Sequence, residues 1–422
     1  MNYEQSIEYI HSLNRFGIKP GMERIAALCE AVGNPQERLK FVHVAGTNGK
    51  GSTSTMIAGA LQASGKKTGL FTSPYVSEFL ERICIDGKPC DKQLFADCVT
   101  ALEPVAASLA QKDMQPTEFE VITAAAFMVF EKAGCEVCVL EVGLGGRLDS
   151  TNIIPAPMVS VIASISLDHT AVLGDTVGEI AREKCGIIKQ SGVTVCYPWQ
   201  EQAAFDVIHD TCERMNNRLV IPNVRGIAAV ENSIDGVRFV YNSKEYRLSM
   251  SGEYQVYNAV TAIEVCLLLN INDEFIKAGI ESAKVPARME VICKEPLVLL
   301  DGGHNDDGGR AVAKSLEGLL KNKKIIAVMG MMADKNVEAY LSCVAPLCET
   351  VVATTVSGNP RAMSAAELES IAQKYCAKTN CFDKACDAVE FAKANIADYD
   401  CLLVCGSLYL AGEVRGILQN IF

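Results

Sequence analysis

The 422-residue sequence predicts an α/β protein of two domains, each built on a mainly parallel sheet covered by helices. Three observations predict it. From Lys40 onward, apolar runs of strand length alternate with segments of helical period. A glycine-rich turn at 46–51 joins the first such strand to a helix, and a second alternating series begins past 285–296. The hydrophobic fraction of 49% is ample for a large core, and 32 glycines suit a chain with many tight βα turns.

Taken in order, residues 3–40 read as helices interrupted by Gly17-Ile18-Lys19-Pro20-Gly21. Strands follow at 39–44, 68–71 (short), 137–142 and 158–165, with a helix over 55–63 after the glycine turn. Residues 226–250 change character: short β-rich runs separated by Asp235-Gly236 and Asn242-Ser243 predict a hairpin patch. A helix is expected over 257–269. The second series runs strand 297–301, helix 311–320, strand 325–329, helix 337–344, strand 350–354, helix 365–375, strand 402–405. These runs divide the chain into a domain over 1–288 and a smaller α/β domain over 289–422, within the usual domain range.

The net charge of −12 argues against general nucleic-acid binding and makes any basic pocket a local construction. No basic and apolar leader opens the chain and no apolar run reaches membrane-spanning length, so a cytoplasmic protein with no membrane partner is expected. The 18 cysteines are scattered, as in a reduced compartment. Cys135 and Cys138 form a C-x-x-C leading into a strand, with no second pair at zinc-ligand spacing, and read as buried free thiols.

The stretch Gly46-Thr47-Asn48-Gly49-Lys50-Gly51-Ser52 carries the most chemistry. Glycines let successive N–H groups point at one anion, and the following helix adds its positive end. Lys50 offers a cation to outer phosphates, and a nearby hydroxyl can hold Mg²⁺. The strict P-loop pattern is not met, because Val44 stands at its first glycine and Gly51 separates Lys50 from Ser52. Glu141, at the end of a buried strand beside this loop, fits an Mg²⁺ ligand. The loop after it, through Arg147 and Asp149, lacks the third glycine of a dinucleotide fingerprint. Ser166-Leu167-Asp168-His169 ends another strand. Arg182 to Lys189 reads either as a solvated helix face or as part of the site. Asp301-Gly302-Gly303-His304-Asn305 ends a strand in the second domain, and His43 reads as a core residue.

These motifs together make the chain resemble the folylpolyglutamate synthase/dihydrofolate synthase family of the Mur-ligase superfamily. The resemblance runs nearly end to end. It rests on Gly21 to Arg24, Gly46 to Ser52, Thr72-Ser73-Pro74, Glu81 to Ile83 and Phe119-Glu120. It continues through Glu141 to Asp149, Leu167 to His169, Glu183 to Lys189, Asp301 to Asn305, Gly330 to Lys335 and Gly406 to Gly412. The displaced Ser52 is the family's own pattern. The chain departs from that pattern at Tyr75, Tyr254, Ala287 and Asn336, where histidine, histidine, glycine and aspartate are usual.

The resemblance implies an N-terminal P-loop ATPase domain with a mainly parallel sheet plus a smaller C-terminal Rossmann-like α/β domain. It implies an ADP-forming ligase that joins L-glutamate to dihydropteroate, to reduced folates or to both, through an acyl phosphate. ATP, two Mg²⁺ ions and a monovalent cation are the implied cofactors, and a monomer is expected. Thr47, Asn48, Gly49, Lys50, Gly51 and Ser52 would wrap the phosphates, with Asn258, Arg288 and Asp301 reaching ATP. Ser73, Glu141 and His169 would hold Mg²⁺. Ile18, Lys19, Pro20, Gly21, Thr117, Glu118, Phe119, Glu120, Leu148, Asp149 and Ser150 would contact the pterin. Lys50, Lys184 and His169 would be catalytic, with Lys184 carbamylated. A cell-wall Mur ligase, a P-loop kinase and a nucleotide-gated binding protein are the rival readings.

Overall fold

A computed structural model describes residues 1–13 and 20–422. The chain folds as two compact units: Met1–Arg225 with Tyr257–Ala283, and Gly226–Val256 with Lys284–Phe422.

The first unit holds β1 (Phe41–Ala45), β2 (Thr68–Phe71), β3 (Ile83–Ile85), β4 (Lys88–Pro89), β5 (Val137–Glu141), β6 (Val159–Ile162), β7 (Val193–Cys196) and β8 (Arg218–Val220). They form one eight-stranded sheet in the order β4-β3-β2-β5-β1-β6-β7-β8. All pairs from β2 to β8 are parallel; only β2–β3 and β3–β4, at one edge, are antiparallel. The mainly parallel sheet expected from the sequence is what forms. Every residue of β1 and β5 is buried, which is why both read as unbroken apolar runs rather than alternating ones. From β1 the chain steps out to β2, returns to β5 beside β1, then crosses to β6 on the other side. Connections therefore diverge around the carboxyl end of β1, the place where open α/β sheets bind ligands.

Helices cover both faces. Glu118–Lys132 lays Val121, Ile122, Phe127 and Phe130 into one core, where the Phe127 and Phe41 rings meet edge-on at 5.8 Å. Each such phenylalanine contributes about 1.5–3 kcal/mol on burial. Farther along the same face Val177–Lys184 and Gln202–Arg214 close a second core through Ile180, Ala204 and Ile208, while Lys50–Ala63 packs on β1, β2 and β5 from the opposite side.

The second unit contains an antiparallel sheet of β9 (Ile227–Ser233), β10 (Gly236–Tyr241) and β11 (Lys244–Leu248). It also contains β12 (Glu290–Lys294), β13 (Leu297–Leu300), β14 (Ile325–Met329), β15 (Thr350–Thr354), β16 (Thr379–Phe382) and β17 (Cys401–Cys405). These six pair in the order β12-β13-β17-β14-β15-β16, parallel except for β12. The expected hairpin patch is real, but it groups with this unit, whereas a single cut at 288/289 leaves it in the first. Its local bonds explain why: Asp235 pairs with Lys294 at 2.5 Å, Glu253 with Lys314 at 2.9 Å, and Gly252 N donates to Asn232 at 3.1 Å.

No helix among the described residues is long and apolar enough to cross a membrane. Cys135 and Cys138 are buried free thiols.

Candidate active site

The glycine turn leaves β1 at Ala45 and is pinned by the chain that follows β6. Thr47 N and Asn48 N donate to Ser164 O at 2.7 and 3.2 Å. Thr47 Oγ1 donates to Ser166 O at 3.1 Å and accepts from Ser166 N at 3.2 Å. Gly49 (φ +81°) then caps the helix Lys50–Ala63. The left-handed backbone favours glycine there, and the Asn258 amide takes up the space of a Cβ, with Oδ1 2.3 Å from where one would lie. The helix thus starts at Lys50, five residues before the expected start, so Lys50 to Ser52 form its opening turn. That turn presents N–H groups with no intrahelical acceptor and carries the helix's positive end, which suits an anion. Lys50 Nζ donates to Thr47 O at 3.2 Å and stands 3.9 Å from Glu141 Oε1.

Glu141 ends β5 and is only 5% exposed. Its Oε2 accepts from Ser73 N at 3.2 Å and lies 3.4 Å from where a Cβ on Gly51 would project. Carboxylate and Ser73 are therefore side by side over the start of the helix. Lys184 closes the helix Val177–Lys184, which a Thr176/Glu179 capping box begins. Its side chain is buried, not solvated: 4% of the residue is exposed and Nζ donates to Gly46 O at 2.8 Å. Burial first, and then the Lys50 charge, push its pKa down to about 7 against the opposing pull of Asp168 and Asp149. The neighbouring Glu183 instead pairs with exposed Arg147 at 2.9 Å. His169 heads the short helix Thr170–Leu173 with φ +50°, is exposed, and has Nε2 3.9 Å from Asp168 Oδ2.

The loop after Glu141 is folded by its own aspartate. Asp149 Oδ2 accepts from Leu144 N at 2.9 Å, and Oδ1 accepts from Thr151 N at 3.0 Å and Thr151 Oγ1 at 2.5 Å. Burial raises its pKa while these bonds oppose the rise. Both oxygens of Asp149, expected as an acceptor for a ring, accept from its own loop. Behind Thr151 lies His43, fully buried, with Nε2 2.8 Å from Thr151 Oγ1. Burial pushes His43 down to about 3, so it is neutral and donates through Nε2, as befits the core residue expected.

This loop also lies backbone-to-backbone on the segment that carries Lys184. A Cβ on Gly146 would sit 2.8 Å from Glu183 O and Lys184 O, and one on Gly186 would sit 2.3 Å from Arg147 Cα. Asn152 Nδ2 bridges the two, donating to Arg147 O at 3.1 Å and to Gly186 O at 3.2 Å.

Among the expected pterin residues, Phe119 packs against Gly143 and Phe71, its ring 5.9 Å from that of Phe71. Thr117 and Glu120 form the capping box of Glu118–Lys132, and Glu120 receives Arg24 Nε at 3.0 and 3.1 Å. Glu120, like Asp149, is held by bonds within the fold. Glu118 has Oε2 buried without a hydrogen-bond partner, and burial raises its pKa. Leu148 is half-buried, Ser150 is buried, and Pro20 and Gly21 open onto the helix Glu23–Ala31. Ile18 and Lys19 lie outside the described residues.

In the second unit Asp301 follows β13 and is 3% exposed. It accepts from Met289 N at 2.8 Å and Gly303 N at 2.7 Å. Burial raises its pKa, while Arg288 and these two bonds oppose the rise. Ala287 and Met289 flank Arg288 with φ of +54° and +47°. The left-handed backbone at Ala287 is the physical reason a glycine is usual there.

The Glu141 carboxylate and the Ser73 hydroxyl are hard oxygen donors of the kind that suit Mg²⁺. A different grouping, exposed His209, Asp210 and Glu213 on Gln202–Arg214, is the only trio of His, Cys, Asp or Glu side chains within ligating reach among the described residues. The sequence reading missed Ser164 and Gln200 as parts of the site's frame; the pattern of a strand ending at 165 hid the one, and no motif marks the other.

Residues 44–266 match the Mur ligase middle domain and residues 287–408 the Mur ligase glutamate ligase domain. The dihydrofolate synthase/folylpolyglutamate synthase of Bacillus subtilis is 33% identical over 437 residues, covering 99% of both chains. The folylpolyglutamate synthase of Lacticaseibacillus casei is 34% identical over 431 residues, again covering 99% of each. Mycobacterium tuberculosis folylpolyglutamate synthase, solved complexed with ADP and AMPPCP, superposes with a TM-score of 0.91 at 29% identity, covering 99% of each chain. This chain belongs to the folylpolyglutamate synthase/dihydrofolate synthase family of Mur ligases.

Proposed function

We propose that the protein is an ATP-dependent, ADP-forming ligase that adds L-glutamate to the carboxyl group of dihydropteroate and of reduced folates. The observation that carries this reading is the convergence of Lys50, at a helix start, with Glu141 and the buried Lys184 on one glycine loop. A carboxylate and a triphosphate repel one another, so their reaction needs concentrated positive charge in a protein of net charge −12. Lys50 and the loop N–H groups from Thr47 to Ser52 hold the phosphates in line with the acceptor carboxylate. The terminal phosphoryl group moves to that carboxylate and ADP leaves. The glutamate amine then attacks the acyl carbon, its proton departs, and phosphate is expelled as the amide forms.

Ser73, Glu141 and His169 are the residues that would hold Mg²⁺, which when bound supplies further positive charge against the phosphates. Lys184 is read as a carbamylated lysine. The ammonium first gives up a proton, which the depression to about 7 favours; the neutral amine then attacks CO₂, an N–C bond forms as one C–O π bond breaks, a second proton leaves, and the former cation is an anion. Asn258, beside Gly49, and Arg288 and Asp301 in the second unit are assigned to the nucleotide. Pro20, Gly21, Phe119 and Leu148 are assigned to the pterin, with Thr117, Glu120, Asp149 and Ser150 shaping its walls.

ADP release from MgATP that requires both a pteroate-type acid and L-glutamate tests the reading. Release that ignores glutamate would convert it to a kinase or a nucleotide switch. Product profiles with dihydropteroate and tetrahydrofolate offered separately decide whether both acceptors are used.

A further inference from the structure

Trp199 is the only tryptophan in the chain, and 59% of it faces solvent. It stands in the segment after β7, at the carboxyl edge of the same sheet that presents the glycine loop. The next residue fixes its backbone. Gln200 Nε2 donates to Ala163 O at 2.8 Å, and Gln200 Oε1 accepts from Ile165 N at 3.0 Å. Between those two residues lies Ser164, whose carbonyl holds Thr47 N and Asn48 N. One short strip of chain thus anchors both the phosphate-facing loop and the tryptophan.

A second connection reaches the same ring. Tyr257 meets Trp199 at 89° with ring centroids 6.2 Å apart, and Tyr197 meets Tyr257 at 73° and 6.2 Å. Tyr257 immediately precedes Asn258, whose amide lies against Gly49. An aromatic side chain held by rigid neighbours yet left open is a platform for a flat ring, since edge-to-face and stacked contacts both use its quadrupole.

We propose that Trp199, braced by Tyr257, is the surface on which the purine of the bound nucleotide lies. The proposal rests on the reading of Gly46 to Ser52 as the phosphate site, and it makes Trp199 a determinant of nucleotide affinity. With no other tryptophan to obscure it, Trp199 reports its own occupancy by fluorescence.

The test titrates the full-length protein with MgATP and, separately, with magnesium tripolyphosphate, following tryptophan emission. MgATP quenches or shifts the emission and tripolyphosphate does not, although it competes with ATP in the glutamate-ligation assay. Trp199→Ala raises KM for ATP roughly tenfold, the scale of one lost base-stacking contact, with the loss in KM rather than kcat. Trp199→Phe recovers most of that affinity, and the inhibition constant of tripolyphosphate stays the same in both variants. An unchanged KM in Trp199→Ala, or emission that responds equally to both ligands, overturns the platform and leaves the phosphate loop standing. Failure of tripolyphosphate to compete with ATP overturns the phosphate-loop reading itself.

Discussion

Glu141 and Asp301 both stand at the carboxyl end of a buried parallel strand, one in each unit, yet their carboxylates keep different company. Asp301 accepts two backbone N–H groups, from Met289 and Gly303, and so holds together a loop with two left-handed residues. Glu141 accepts from Ser73 N with one oxygen and turns the other toward the Lys50 ammonium. The same functional group, a carboxylate, at the same address in the fold organises backbone in one unit and faces a lysine in the other. A buried carboxylate is therefore read by what donates to it, not by where its strand ends.

The sharpest way to break the contrast is Lys50→Ala. A half-buried lysine at a helix start contributes little to packing, whereas transition-state charge stabilisation of this kind is worth roughly 3 kcal/mol or more. Turnover should be lost with an unchanged circular dichroism spectrum; more than a tenth of the parent rate would show that the loop does not cradle phosphate.

Lys184→Gln should come next, with loss of nearly all activity, and a crystal structure of the active MgATP complex should show density beyond Nζ. A clean ammonium there would sink the carbamate. The apoprotein offers an independent check through pH. A lysine whose pKa falls from 10.5 to about 7 on folding binds its proton more weakly in the folded than in the unfolded chain. Its burden on stability is full below about pH 7 and fades as pH rises toward 10.5. Lys184→Met should therefore raise the melting temperature most near pH 6, with the gain shrinking through pH 9; a pH-independent gain would mean the amine is not forced toward neutrality.

On the structural side of the contrast, Asp301→Ala leaves two buried N–H groups without their acceptor and should cost roughly 3 kcal/mol, read as a lower melting temperature. Asp301→Asn keeps one acceptor and should recover part of it. The smallest effect is expected at Ala287, whose φ of +54° is costly for any residue with a Cβ. Ala287→Gly should stabilise by about 0.5–1 kcal/mol, the relief of strain exceeding the added flexibility of glycine. A loss of stability would mean that Ala287 contacts outweigh its backbone.

The strands β1, β5 and β14 were legible because a strand buried on both faces is apolar throughout. The start of the helix at Lys50 was not, since Lys-Gly-Ser-Thr carries no apolar periodicity and the cap is the glycine of the loop itself. Residues 226–256 announced a hairpin but not the unit they join, because Lys294 and Lys314 lie tens of residues away in sequence. Lys184 was ambiguous for a related reason: Arg182-Glu183-Lys184 looks solvated until the fold brings Gly46 against it. Glu120 and Asp149 stood out in the sequence as motif carboxylates, but only Arg24, Leu144 and Thr151 in place show which groups hold them.

The contact of Gly146 and Arg147 with the Glu183–Gly186 segment bears on how this enzyme can be recombined with its relatives. With two glycines each facing the other's backbone at distances no side chain tolerates, residues 143–152 and 183–187 form one interlocked piece. A chimera that imports either segment alone keeps the fit beneath Lys184 only if both parents carry glycine at the positions of Gly146 and Gly186. Crossover points in shuffled libraries belong outside both segments, and the two should be carried over as a pair.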